Sequence, residues 1–179
     1  MANIDTFKAN LIGGGARANQ FRVTINSPTG IAIGLDNTRT SFLCKATNLP
    51  GQTLGEIPVP FRGRSIYIAG DREFADAWTT TFINDTNFMI RNAIERWMNG
   101  INDLANNTGV VSPADYQTDL TVEQLDRDDA VLKSYKFFSA WPLTIGQIDL
   151  ASETANAIEE FEVTWRYQHF EAFPASFGF

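Results

Sequence analysis

Two prolines set two residues apart, Pro58 and Pro60, constrain this chain more than any other feature. They lie in Glu56-Ile57-Pro58-Val59-Pro60-Phe61, which alternates as a strand does, with Ile57, Val59 and Phe61 on one face. Backbone N–H groups two residues apart in a strand point to the same side, so both missing donors fall on one edge. Such a strand pairs normally along its other edge only. Arg62-Gly63-Arg64 supplies a tip and Ser65-Ile66-Tyr67-Ile68-Ala69 a return strand, which predicts a hairpin over residues 52–70 projecting from the body. Before it, residues 42–47 alternate and Asn48-Leu49-Pro50-Gly51 stops them. After it, Gly70-Asp71-Arg72 turns the chain into a strand over residues 74–83, with Trp78, Thr80 and Phe82 on one face. Residues 42–85 contain no recognisable catalytic group, and a projecting hairpin without chemistry points to assembly.

The remaining pattern is mostly of strands. Residues 1–19 read as a mobile arm, broken by Gly13-Gly14-Gly15. A phosphate loop is excluded there, because no strand precedes the glycines and no Gly-Lys-Ser/Thr follows them. Phe21, Val23 and Ile25 alternate inward, and residues 31–35 fit a short return strand. Ile90, Ala93, Ile94, Trp97, Met98 and Ile101 recur at helical spacing and predict one amphipathic helix over residues 86–100, capped by Asp85 or Thr86 and stopped at Asn99-Gly100. Residues 102–130 are polar and turn-rich, a long excursion with short strands. Residues 133–140 form a strand that Trp141-Pro142-Leu143 breaks. Residues 158–169 alternate best, with Phe161, Val163, Trp165, Tyr167 and His169 on one face and Glu160, Glu162, Thr164, Arg166 and Gln168 on the other.

At 179 residues, 44% of them hydrophobic, the chain fits one domain with a real core and no apolar run long enough to span a bilayer. Met1-Ala2-Asn3-Ile4-Asp5 lacks the basic flank and apolar run of a signal peptide. The single Cys44 has no internal disulfide partner and suits a strand interior. A net charge of −7 speaks against a protein that grips nucleic acid; it fits either a surface that nucleic acid slides past or ordinary solubility.

No catalytic, cofactor or metal site is expected. His169 is the sole histidine, with no cysteine or carboxylate at ligand spacing. Asp126, Asp128 and Asp129 lack the glycine and terminal glutamate of a calcium loop. Glu159, Glu160 and Glu162 are best explained by a wet sheet surface. Arg62, Arg64 and Arg72 gather around the hairpin and its corner, suited to partner contact or to pairing with Asp71. The tail over residues 170–179 carries Phe173, Phe177 and Phe179, an aromatic end that packs on its own domain or on a neighbour.

Residues 42–51, Ile57-Pro58-Val59 with Phe61, Ala69-Gly70-Asp71-Arg72-Glu73-Phe74 and the strand from Trp78 resemble, in order, the tail-tube proteins of T-even-like contractile phages. Pro113-Ala114-Asp115-Tyr116, Trp141-Pro142 with Ile145-Gly146, and Phe161-Glu162-Val163-Thr164 continue the resemblance over most of the chain. It implies a mainly β fold, a two-sheet β-sandwich or half-barrel with one flanking helix and a projecting hairpin. It also implies homohexameric rings stacked into the inner tube of a virion tail, assembled in the host cytoplasm. The partners it brings are the sheath, baseplate and tail-terminator proteins outside, with tape-measure protein and DNA in the lumen without specific binding, and no membrane. Carried onto this chain, it makes residues 54–68 and the N-terminal arm reach adjacent rings, with Glu56, Ile57, Val59, Phe61, Arg62, Gly63, Arg64 and Tyr67 an inter-ring surface and Asp71 and Arg72 at the corner. Phe173, Phe177 and Phe179 become a tail contact, and Glu56, Asp71, Glu160 and Glu162 lumen candidates. The one-sided strand then reads as an edge meant to meet another subunit. The same fold serves phage-like injection devices and baseplate tube initiators; a carbohydrate-binding β-sandwich is the reading from another class.

Overall fold

Alternation at period two builds most of this structure, and the strands it builds divide the chain into a core and an outlier. The computed structural model describes residues 3–73 and 77–174. In chain order the elements are α1 (Ile4–Asn10), β1 (Phe21–Ile25), α2 (Asn37–Leu43), β2 (Cys44–Thr47), β3 (Thr53–Phe61), β4 (Arg64–Glu73), β5 (Trp78–Ile83), α3 (Met89–Ile101), α4 (Pro113–Tyr116), β6 (Thr118–Leu125), β7 (Val131–Ile145), β8 (Glu160–Arg166) and β9 (His169–Pro174). All strand pairs are antiparallel. Among the described residues β3 and β4 pair only with each other.

One strand serves two sheets. Over its first part β7 lies between β6 and β9, with β1 beyond β6. From Trp141 onward it pairs with β8, which continues to β5 and β2. Ser139, at φ 53°, bends the strand between these two zones. The inward faces of the two sheets then meet: Trp78 of β5 stacks on Phe137 of β7 with ring centroids 4.5 Å apart. Val23, Ile25, Leu120, Val122 and Phe137 from one sheet are buried against Phe82, Phe161, Val163 and Trp165 from the other. α3 contributes Ile90, Ala93, Ile94 and Trp97 to the same core, and Trp97 lies 5.7 Å from Trp165.

A buried indole must find an acceptor for its N–H. Each of the three in the core does so locally. Trp165 Nε1 donates to Thr80 Oγ1 at 2.9 Å, Trp97 Nε1 to the Tyr116 carbonyl at 2.8 Å, and Trp78 Nε1 to the Asn48 carbonyl at 2.9 Å. Thr80 is thus buried on an otherwise apolar face because it completes an indole.

Several segments differ from the sequence expectation, each for a local reason. The arm contains α1, started by Asn3, whose side chain accepts from the Asp5 N–H. No strand forms at residues 31–35. Instead Asp36 accepts from the N–H groups of Thr38 and Arg39 and starts α2, so Phe42 and Leu43 end a helix and the strand begins at Cys44. α3 starts at Met89 rather than residue 86, because Phe88 sits in a left-handed conformation at φ 52° and Asp85 Oδ1 caps the Met89 N–H from four residues back. Gly100 stays inside that helix. The polar region 102–130 holds β6, a full core strand with Leu120 and Val122 buried. β7 passes through Trp141-Pro142-Leu143 unbroken, its register shifting between Pro142 and Thr144. The last alternation ends at Arg166. Gln168 then donates its N–H to the Phe138 carbonyl and carries the chain across to the first sheet as β9. His169 is therefore exposed, stacked on Phe138 at 4.7 Å rather than packed inside.

Trp165 joins both sheets and α3. Replacing it with Ala is expected to lower the unfolding free energy by about 3–5 kcal/mol, measured by urea denaturation of the monomer.

Candidate assembly surfaces

The ribbon formed by β3 and β4 is shaped by its two-residue turn. Arg62 at φ 45° and Gly63 at φ 79° have the paired positive angles of a type I′ turn, whose twist matches that of the strands it joins. Phe61 then faces Arg64, Val59 faces Ile66 and Ile57 faces Ile68. Directly opposed residues share a face. One side of the ribbon therefore carries Ile57, Val59, Phe61, Ile66 and Ile68 together; the other carries Glu56, Pro58, Pro60, Ser65, Tyr67 and Ala69. At the root Gly55 and Gly70 let the strands pinch: a Cβ on Gly70 would lie 3.1 Å from the Gly55 carbonyl oxygen.

All five apolar residues are exposed, from 39% for Val59 to 56% for Phe61. A contiguous apolar face on a two-stranded ribbon, left exposed by the described residues, marks a surface suited to contact with another molecule. The sequence singled out Ile57, Val59 and Phe61 but missed Ile66 and Ile68. The two-residue spacing of Arg62-Gly63 could have revealed them, since it sets the register.

The arginines do not gather into an anion site. Arg62 lies over the Phe61 ring at 5.4 Å, and Arg72 Nη1 donates to Gln52 Oε1 at 2.5 Å; neither pairs with Asp71. The acidic residues separate into two groups. Glu56 and Asp71 are exposed on the ribbon, Gly70-Asp71-Arg72 being no corner but part of β4, which pairs with β3 as far as Glu73. Glu160 and Glu162 stand on the outward face of β8. That face is wet and threonine-rich: Thr79 opposes Thr164 and Thr81 opposes Glu162. Lys45 Nζ contacts both carboxylate oxygens of Glu160, at 2.6 and 2.7 Å. Phe173 pairs with Ser134 as part of β9 on its own sheet; Phe177 and Phe179 lie outside the described residues. In the N-terminal arm α1 adds a second apolar surface, with Ile4, Phe7 and Leu11 spaced for one helix face and all exposed.

Reactive groups do not converge. Asp126 and Asp129 shape the β6–β7 turn, where Asp129 donates its N–H to the Asp126 carbonyl. Asn84 bonds both the backbone carbonyl and the side chain of Glu159. A groove of about 640 Å³ between the end of α3 and residues 141–145 is lined by Met98, Ile101, Trp141 and Leu143, with Glu95 and Asp103 among its polar residues. Cys44 is buried, and that burial pushes its thiol up to about 12. Among the described residues no three metal-ligating side chains come together.

A β-sandwich that leaves contiguous apolar faces exposed on a ribbon and on a helix fits the class of structural, assembling proteins. Residues 16–172 match the family model described as phage tail tube protein. The tail tube protein of Serratia phage KSP90 is 36% identical over 170 residues, covering 93% of this chain and 95% of that one. That of Enterobacteria phage T4 is 34% identical over 168 residues, covering 93% and 98%. A cryo-EM structure of an extracellular contractile injection system, a sheath-tube complex in its extended state, aligns with a TM-score of 0.58 at 11% identity, over 98% of this chain and 100% of the other. The chain belongs to the phage tail tube protein family.

Ile57→Asp with Phe61→Asp is expected to leave monomer stability within about 0.5 kcal/mol of wild type, as for surface positions, and to impair self-association in sedimentation. For Cys44, the folded state holds the proton more tightly than the unfolded state, where the ordinary value is 9.0. Its contribution to stability is therefore complete below pH 9 and lost as pH rises from 9 toward 12. A thiol reagent at pH 8 is expected to label Cys44 only after denaturant is added.

Proposed function

We propose that copies of this chain close into six-membered rings and that the rings stack into a hollow tube inside a contractile tail, with a lumen through which DNA leaves. The observation that carries this reading is the ribbon, whose apolar face stays exposed among the described residues and needs a neighbour. Sheet geometry supports ring closure. β7, β8, β5 and β2 alternate in direction, so the two outer strands of this four-stranded set run antiparallel. Laying β2 of one copy along the end of β7 in the next continues the alternation, and a closed ring of such sheets has no free edge.

In this reading the outward face of β5 and β8 lines the lumen, because the opposite face of those strands is filled by the core and α3. Thr79, Thr81, Glu160, Glu162 and Thr164 then meet the DNA. Threonine hydroxyls keep that wall wet, and Glu162 repels phosphate, while Glu160 is held in its ion pair with Lys45. The net charge of −7 per copy acts in the same sense over the whole ring. The ribbon serves contact between rings, joined by α1. The outer surface, including α3, faces a sheath; baseplate and terminator proteins contact the tube ends, and a tape-measure protein shares the lumen.

Negative-stain electron microscopy of the purified chain at rising concentration tests this. Rings with six-fold symmetry or straight hollow tubes are expected. A monomer that persists at all concentrations and salt conditions overturns the reading.

A further inference from the structure

The ribbon has two long edges, and they are not equivalent. In a hairpin with a two-residue turn, the pair flanking the turn exchanges both backbone hydrogen bonds, and bonded pairs recur at every second position. Here the bonded pairs are Phe61 with Arg64, Val59 with Ile66 and Ile57 with Ile68. Pro58 and Pro60 fall between them, so their nitrogens face the free edge of β3, which presents carbonyls there and lacks two donors. On β4 the residues between the bonded pairs are Ser65, Tyr67 and Ala69. Their N–H and C=O groups face the free edge of β4, and no described strand pairs with it.

The proline-marked strand is thus the blank side of the ribbon, and β4 is the open side. We propose that the outer edge of β4, from Ser65 to Ala69, receives a strand from a second copy of this chain, so that the ribbon joins its neighbour through backbone hydrogen bonds on one side only. A second copy fits the tip beside that edge by charge. Between Ile57 and Asp71 the only charged residues are Arg62 and Arg64, whereas the whole chain is −7, so a basic tip meets an acidic body. The blank side explains why ribbons do not simply stack on one another. β3 of one ribbon against β4 of the next would form an endless sheet, and the prolines remove the donors that such pairing needs. The added strand also lies beside the apolar face, so strand addition and burial of Ile66 and Ile68 reinforce each other.

This inference rests on the tube reading, and one experiment separates the two. Tyr67→Pro removes an outward N–H without touching the β3–β4 ladder, since the Tyr67 nitrogen is not used within the ribbon. Ser65→Pro, which removes the next outward donor, is the second variant, and Ser65→Thr keeps that N–H while changing the side chain. Assembly is followed by light scattering and electron microscopy, with unfolding of the monomer as the control for folding. The expected result is a rise of about tenfold or more in the concentration needed for tubes with either proline, and tubes near the wild-type concentration with Ser65→Thr. Tubes from both proline variants at the wild-type concentration overturn the proposal, as does equal loss in Ser65→Thr, which would assign the effect to the side chain. If the wild-type chain forms no tubes at all, the tube reading itself fails, and this proposal with it.

Discussion

Everything in this molecule depends on β7 belonging to two sheets. A β-sandwich normally holds its layers together by side-chain packing alone. Here the backbone of one strand passes from the first layer to the second, bending at Ser139, and the register of each layer is referred to the same fifteen-residue strand. Because that strand cannot slip in one sheet without slipping in the other, the inward faces stay matched. Trp78 finds Phe137, and Trp165 finds Thr80 and Trp97. α3 then covers the part of the core that the layers leave open.

Much of this was legible in the sequence, and the failures share a cause. Strict alternation identified the inward residues of β1, β5 and β8, and helical spacing identified Ile90, Ala93, Ile94 and Trp97. Local periodicity reports which side of an element is apolar. It does not report where a polar segment is carried. Thr118 to Leu125 looked like part of an excursion because its neighbours are polar and turn-rich, yet pairing with β1 and β7 makes it central. Proline after Trp141 looked like a stop, but a register shift beside Pro142 absorbs it. Cap residues decided the remaining boundaries: Asp36 starts a helix over residues 37–43, which takes Phe42 and Leu43 out of the alternation read over residues 42–47.

The surfaces were read less completely than the core, again for a physical reason. A strand face is visible from one strand, but a ribbon face is the sum of two, and its membership depends on register. Ile66 and Ile68 become partners of Val59 and Ile57 only once the two-residue turn is in place. The same register reverses the meaning of the prolines. Sequence shows that Pro58 and Pro60 leave one edge without donors; only the turn shows that this edge faces outward. Glu160 likewise stands on the predicted face, while its tie to Lys45 needed the three-dimensional neighbour.

The ribbon's separation from the core has a consequence for how such a chain varies. Cellular surveillance removes chains according to how often they unfold, and side chains that contribute nothing to the folded monomer escape it. A substitution at Ile57 or Ile66 passes that filter untouched and reaches full abundance, to be tested only when one copy meets another. An altered core residue disappears as lost protein; an altered ribbon residue persists as protein that is present, folded and unable to join.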